Sequence, residues 1–479
     1  MELKIAGLAK HFINGQWVSP AGSERIEVIN PATELPVGVV PAGTAEEADQ
    51  AVRAARNAFA KWAATSREER LALIDRAMEA LERHHEELAY AITFEMGAPF
   101  DFSRSMQAMC GVWHLGATRE LLRTYEFEQR LGTTMLFKEP IGVCVLITPW
   151  NWPINQLACK VAPALAAGCT VVVKPAEVSP LSALVFAQCI EEAGFPPGVF
   201  NVINGVGSVL GPVLSSHPDV DMVSFTGSTR AGVQVAISAA PTVKRVSQEL
   251  GGKSANILLD DDSFAAAVTA GAAACFNNSG QTCIAPTRML VPVSRLAEAE
   301  EIAANVASQM RVGDPFDETV KVGPVASRKQ FESVQRYIEI GIEEGAKLVA
   351  GGPGRPDGLT KGFYVRPTVF SAVTSDMRVA QEEIFGPVLC ILGYETEEQA
   401  IEIANDSIYG LSGYVTSSNL NRARAIARRL RTGMVHLNGA GPDFNAPFGG
   451  YKQSGNGREW GKAGFEEFLE TKAVMGYNV

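Results

Sequence analysis

Paired cysteines at metal-binding spacing are absent from this sequence. Its eight cysteines form no CxxC pair, and none stands with two histidines at ligand spacing, so neither a zinc site nor a disulfide framework is expected. Most of these thiols read as small buried hydrophobes. Histidine is scarce too: the six, at 11, 84, 85, 114, 217 and 436, lie outside the polar loops discussed below, which leaves a papain-like Cys/His pair poorly supported. There is no basic excess either. Forty-two Lys and Arg face 53 Asp and Glu, and the formal charge of −11 repels phosphate backbones and anionic lipid. The one basic helical run, Arg422 to Arg431, reads as a solvated face. Neither a nucleic acid nor a membrane partner is expected. No stretch reaches the roughly 18 unbroken apolar residues of a membrane span, and Met1 to Lys10 lacks an apolar leader with a cleavage site. A cytoplasmic address is the expectation.

What is present is ordinary globular material. The 479 residues, 46% hydrophobic and 20% charged, exceed one compact core and predict two large domains. His11 to Asn30 reads as short strands joined by Asn-Gly and Pro-Ala-Gly turns, followed by helices at Ala45 to Ala63 and Arg67 to Glu95. From Ile141 a repeating unit begins: an apolar strand, a Pro- or Gly-marked turn, then a helix such as Ile154 to Ala167. Thr170 to Val173, Val199 to Ile203, Met222 to Phe225 and Arg245 to Gln248 continue it, which predicts a parallel, doubly wound α/β sheet. A second α/β series starts near Ala255, with helices around Ala265 to Phe276 and Glu298 to Met310. Thr124 to Lys138 and Glu470 to Tyr477 fit neither series and read as strands in search of partners.

Ligands of a doubly wound sheet sit at the strands' carboxyl ends, and polar, Gly-rich segments fall there: Thr148 to Pro153, Lys174 to Glu177, Gly205 to Gly207, Thr226 to Ser228 and Glu249 to Lys253. Gly205-Val-Gly207-Ser-Val-Leu-Gly211 misses the G-x-G-x-x-G spacing by one residue. Glu249 precedes Leu-Gly-Gly-Lys, where glycines let backbone approach a ligand; it reads either as a base or as a surface acid at a strand end. Cys283 closes the small, polar loop Phe-Asn-Asn-Ser-Gly-Gln-Thr-Cys, which suits an exposed nucleophile but equally a packing cysteine.

Glu-Leu-Gly-Gly-Lys (249 to 253), followed about thirty residues on by Gly-Gln-Thr-Cys, resembles the aldehyde dehydrogenase superfamily. Pro-Trp-Asn-Trp-Pro (149 to 153), Lys-Pro-Ala-Glu (174 to 177), Phe-Thr-Gly-Ser (225 to 228), Glu-Glu-Ile-Phe-Gly-Pro (382 to 387) and Pro-Phe-Gly-Gly-Tyr-Lys-Gln-Ser-Gly (447 to 455) stand in that family's order. The resemblance implies a dinucleotide-binding domain (1–121 and 141–251), a catalytic domain (252–465) and oligomerisation strands (122–140 and 466–479), assembled as a homodimer or homotetramer.

It also implies roles. Cys283 attacks the aldehyde, Asn151 and the Cys283 backbone N–H hold the oxyanion, Glu249 activates water, and Lys160 supports Asn151. NAD would lie along Thr148, Trp150, Lys174, Glu177, Gly207, Gly211, Phe225, Thr226, Gly227, Ser228, Leu250, Gly251, Glu383 and Phe385. NAD is expected over NADP, because a carboxylate at Glu177 accepts from ribose hydroxyls but repels a 2′-phosphate. The aldehyde would meet Trp152, Asn155, Gln156, Cys159, Thr282, Ile284 and Phe448, with Asn155 and Gln156 reaching a distal polar group. Two other readings stand beside this one: a coenzyme A-acylating semialdehyde dehydrogenase, against which Glu249 argues, and a binding protein without catalysis.

Overall fold

The structure is a computed structural model that describes residue 5 and residues 7–477. Part of the Met1 to Lys10 stretch, and the last two residues of the 466–479 segment, lie outside the described residues.

Local chemistry starts the helices. Thr44 accepts from Glu47 N while Glu47 Oε2 accepts from Thr44 N at 2.8 Å, a reciprocal cap that opens helix Ala45–Ala63. Ser66 and Glu69 repeat the device at helix Arg67–Arg83. Where the pattern predicts one helix from Arg67 to Glu95, there are two, Arg67–Arg83 and His85–Met96. His84 breaks them: it leaves helical geometry, and its ring nitrogens bond Glu87 and Glu192 at 2.8 Å each.

Among the described residues an eight-stranded sheet runs Gln16–Val18, His11–Ile13, Phe200–Val202, Thr170–Lys174, Val143–Ile147, Met222–Thr226, Arg245–Glu249, Gly455–Asn456. From Phe200–Val202 to Arg245–Glu249 every pairing is parallel. The chain enters at Val143–Ile147, winds outward on one side, then returns to Met222–Thr226 and winds outward on the other. That reversal is the topological switch point, whose carboxyl-end crevice is where such sheets bind ligands. The doubly wound α/β architecture is the one the sequence predicts.

A seven-stranded sheet, Lys347–Ala350, Thr368–Ser371, Val388–Tyr394, Arg288–Pro292, Ala255–Leu258, Ser412–Thr416, Met434–Leu437, is parallel apart from its first strand. The two segments that fit neither series pair with each other: Leu469–Val474, Thr134–Pro140 and Glu128–Leu131 make one antiparallel sheet. The halves also exchange pieces. Gly455–Asn456, inside the expected 252–465 domain, pairs with Gln248 and Glu249 on the first sheet.

Candidate active site

The nucleophile loop follows helix Phe264–Phe276 and turns on three successive left-handed residues, Asn278 (φ 52°), Ser279 (φ 56°) and Gly280 (φ 72°). Side chains hold this costly conformation. Asn278 Nδ2 donates to Asn151 O at 3.0 Å and to Gln281 O at 3.2 Å, Gln107 Nε2 donates to Asn278 Oδ1 at 3.0 Å, and Ser279 Oγ donates to Gly323 O at 2.8 Å. At Gly280 a Cβ would stand 2.1 Å from Gly386 backbone. The turn leaves Cys283 partly exposed, whereas the other seven cysteines are buried.

Asn151, the central residue of the Pro-Trp-Asn-Trp-Pro segment and buried, donates from Nδ2 to Gln281 O at 3.0 Å. The expected oxyanion donor is thus tied to the nucleophile loop itself. The Glu249 segment arrives from the other side: a Cβ on Gly252 would stand 2.4 Å from Cys283 O, so only glycine lets these backbones meet. Glu249 is buried at its strand end, and neither carboxyl oxygen has a hydrogen-bond partner among the described residues. Burial, then the neighbouring Glu459 carboxyl, pushes its pKa well above the carboxylate range. Burial, then Glu383, Glu249 and Glu459, pushes the Cys283 thiol up as well. Burial thus favours the neutral form of each group.

Lys160 does not support Asn151. Its ammonium donates to Ser224 Oγ at 3.1 Å and pairs with Glu459 in a buried ion pair beneath the switch point. Thr226 Oγ1 reaches the same Glu459 at 3.5 Å. Cys159, expected on the aldehyde cavity, also turns this way: it is buried, with Sγ 3.2 Å from Glu459 Oε2 and 3.5 Å from Gln156 O. Glu459 and Asn278 are the residues that sequence reasoning missed. Glu459 lies 299 positions from Lys160, too far for any local pattern to link them.

Thr148, Lys174, Thr226 and Glu249 stand at or just past the carboxyl ends of four adjacent strands of the first sheet. Lys174 Nζ donates to Glu177 Oε2 at 3.1 Å, and a Cβ on Gly207, at the start of helix Gly207–Ser216, would lie 3.5 Å from both groups. Burial opposes ionisation of Glu177, but the Lys174 ammonium and backbone N–H groups outweigh it and hold the carboxyl below its ordinary value. Gly211 sits one turn further along, with nothing within 4 Å of where its Cβ would be. Ser228 caps helix Thr229–Ala239, and the Thr148 N–H donates to Lys174 O at 3.2 Å. Trp150 stands edge-on to Phe385 at 5.4 Å, and Glu383 Oε1 accepts from Gly252 N at 2.9 Å, leaving no room for a Cβ on Gly251. Burial lifts the Glu383 pKa to about 7.

The Phe225 and Leu250 side chains pack in the apolar core, Phe225 beneath Gly227 and Leu250 against Gly232. A glycine-lined crevice, a helix N-terminus and an acid paired with a lysine fit a dinucleotide.

Cys283 opens on its other side into a cavity of about 690 Å³ whose wall includes Trp152, Asn155, Gln156, Thr282, Ile284 and Phe448. Trp113, Phe444 and Trp460 add aromatic faces beside Met78, Met106, Val112 and Asn445, and Glu120 is the only charged side chain of the wall among the described residues. Trp152 Nε1 donates to Thr282 Oγ1 at 3.0 Å, fixing the indole beside the nucleophile.

Comparison with known proteins matches this arrangement. A sequence model described as the aldehyde dehydrogenase family matches residues 17–474. A 3-succinoylsemialdehyde-pyridine dehydrogenase of a Pseudomonas species is 58% identical over 97% of this chain and 98% of its own. The crystal structure of a mutant aldehyde dehydrogenase C from Pseudomonas syringae, complexed with NAD+ and octanal, superposes with a TM-score of 0.98 at 55% identity, covering 99% of this chain and 98% of that one. An aldehyde dehydrogenase of Mycobacterium tuberculosis complexed with NAD+ superposes with a TM-score of 0.95 at 42% identity over 98% of this chain and 99% of that one. Fold and site define an oxidoreductase with a doubly wound sheet beside a cysteine centre. The chain belongs to the aldehyde dehydrogenase family, whose reaction oxidises an aldehyde to an acid.

Proposed function

We propose that this chain oxidises aldehydes with alkyl or aryl tails, using NAD, Cys283 as nucleophile, Asn151 as oxyanion donor and Glu249 as base. One observation carries the reading: the Cys283 loop, the Asn151 amide and the Glu249 segment converge where the switch-point crevice meets the aromatic cavity. Cys283 Sγ gives its proton to solvent in the cavity and bonds to the aldehyde carbon, whose carbonyl electron pair moves to oxygen. Asn151 Nδ2 and the Cys283 N–H then stabilise the oxyanion, a term whose loss typically costs about 100- to 1000-fold in rate. Lys174, Glu177, Gly207, Glu383 and Phe385 would hold NAD, which would supply the acceptor for the hydride leaving the same carbon. The resulting thioester is released when Glu249 takes a proton from water, whose oxygen adds to the acyl carbon and expels the thiolate.

The carboxylate of Glu177, ionised and paired with Lys174, supports NAD over NADP, since a 2′-phosphate there meets a negative charge. The apolar and aromatic wall supports an apolar tail, as do a relative whose mutant was crystallised with octanal and another named for a pyridine-bearing semialdehyde. Eight free cysteines support the cytoplasm, and the exposed edge Glu128–Leu131 supports a homodimer or homotetramer. Octanal with NAD should yield NADH and octanoic acid with or without coenzyme A. A coenzyme A thioester as product, or better kcat/KM with NADP, would overturn the corresponding part.

A further inference from the structure

Asn155, on the first turn of helix Pro153–Ala167, faces the aldehyde cavity, and a partner behind it fixes its amide. His114, on helix Met109–Thr124, is buried, and its Nε2 stands 2.7 Å from Asn155 Oδ1. Aromatic rings hold the imidazole in place: Phe444 meets it edge-on at 4.8 Å and Trp460 lies 5.3 Å away. Burial pushes the His114 pKa down to about 4, so the ring is neutral at physiological pH. With its proton on Nε2 it donates to Asn155 Oδ1. Asn155 Nδ2 is then left without a hydrogen-bond partner among the described residues, on the wall of a mostly apolar cavity that also bears Glu120, Gln156, Thr282 and Asn445.

We propose that His114 is a positioning residue for substrate specificity: by holding Asn155 Oδ1 it turns Asn155 Nδ2 into the cavity as a donor that selects aldehydes with a neutral acceptor, a ketone oxygen or ring nitrogen, in an otherwise apolar tail. This rests on the aldehyde cavity proposed above and narrows its substrate class. The selection works because a bound alkyl tail displaces water from the Nδ2 donor and leaves it unsatisfied, whereas an acceptor at the right carbon restores the bond. A distal carboxylate is disfavoured. The cavity wall has no cation to meet it, and Glu120 repels it.

The test compares octanal with a series of oxo-octanals, the ketone moved one carbon at a time, by kcat/KM with NAD. Wild type should prefer one oxo isomer over octanal by about 10-fold, the size of one well-made hydrogen bond. His114→Phe keeps a ring between Phe444 and Trp460 but removes the donor, and Asn155→Leu removes the amide. Each should bring the ratio to about 1, chiefly through KM for the oxo isomer, and His114→Gln, with an amide donor near the Nε2 position, should restore much of it. A wild-type ratio that never exceeds one, a ratio that survives His114→Phe, or equal losses on both aldehydes that His114→Gln does not repair would each overturn the proposal. NADH formed from octanal by wild type shows that the underlying aldehyde reading stands, whichever way the ratio falls.

Discussion

Cys283 and Glu249 act in successive half-reactions, and that sets what each substitution should do. Glu249→Gln keeps size and polarity but removes basicity, so steady-state turnover should fall by about 100-fold or more, the usual size of a general-base contribution. Acylation of Cys283 does not need the activated water. Rapid mixing of this variant with NAD and aldehyde should therefore still give a burst of up to about one NADH per site, with an acyl adduct on Cys283 by intact mass. Cys283→Ala should give neither burst nor steady state. Full turnover in Glu249→Gln, or no adduct, would remove Glu249 from deacylation.

The surroundings of Glu249 also predict a pH shift. A base must be ionised to act, so turnover rises as pH climbs through its raised pKa. Glu459 raises that pKa and Lys160 lowers it. Glu459→Gln should move the acid limb of the kcat profile to lower pH, and Lys160→Met should move it higher. Glu459→Gln also leaves the Lys160 ammonium buried without its counter-charge, a loss of about 3–5 kcal/mol that should lower Tm. Profiles that superimpose with wild type would show that Glu249 is not the group titrating. Glu383 titrates at about 7. If its carboxylate accepts from the cofactor ribose, KM for NAD should fall as pH rises through that value, and Glu383→Gln should flatten the dependence.

At the scale of elements, the loop before Cys283 combines strain with hydrogen bonds, and two substitutions separate them. Asn278→Gly accepts φ of 52° without cost but loses the bonds to Asn151 O and Gln281 O. Asn278→Ala loses both the bonds and the tolerance of left-handed backbone, worth about 1–2 kcal/mol. Both should lower kcat by about 10-fold or more through a misplaced Cys283 and Asn151. The alanine variant should also melt at lower temperature, and equal Tm values for the pair would take backbone strain out of the account.

At the scale of the molecule, the small sheet of Glu128–Leu131, Thr134–Pro140 and Leu469–Val474 ends on an edge exposed at every residue. Leu131 is 64% exposed and Met475 77%, apolar surface that an isolated chain would leave in water. Leu131→Asp with Met475→Asp should shift sedimentation towards smaller species while the far-ultraviolet spectrum is kept. Unchanged sedimentation would place the subunit contact elsewhere.

The sequence by itself determined the strand series and doubly wound class of the first half, because apolar runs separated by Gly- or Pro-marked turns and helices are local signals at known spacing. It also singled out Cys283, Asn151 and Glu249 through the ordered motifs that resemble the aldehyde dehydrogenase family, while the residues alone left Cys283 and Glu249 open to a packing or surface reading; the structure shows the close backbone approaches beside them, Gly252 against Cys283 and Gly280 against Gly386. Tertiary structure alone decided what surrounds them. Lys160 was expected behind Asn151 and lies instead against Glu459, Cys159 turns from the cavity to the same carboxylate, and Phe225 packs in the core. A helix presents side chains in every direction, and which one meets the cavity depends on the element packed against it. His114 behind Asn155 and Glu459 beside Lys160 become visible only when segments distant in the chain are brought together, since a buried charge or amide takes its meaning from partners no local pattern specifies.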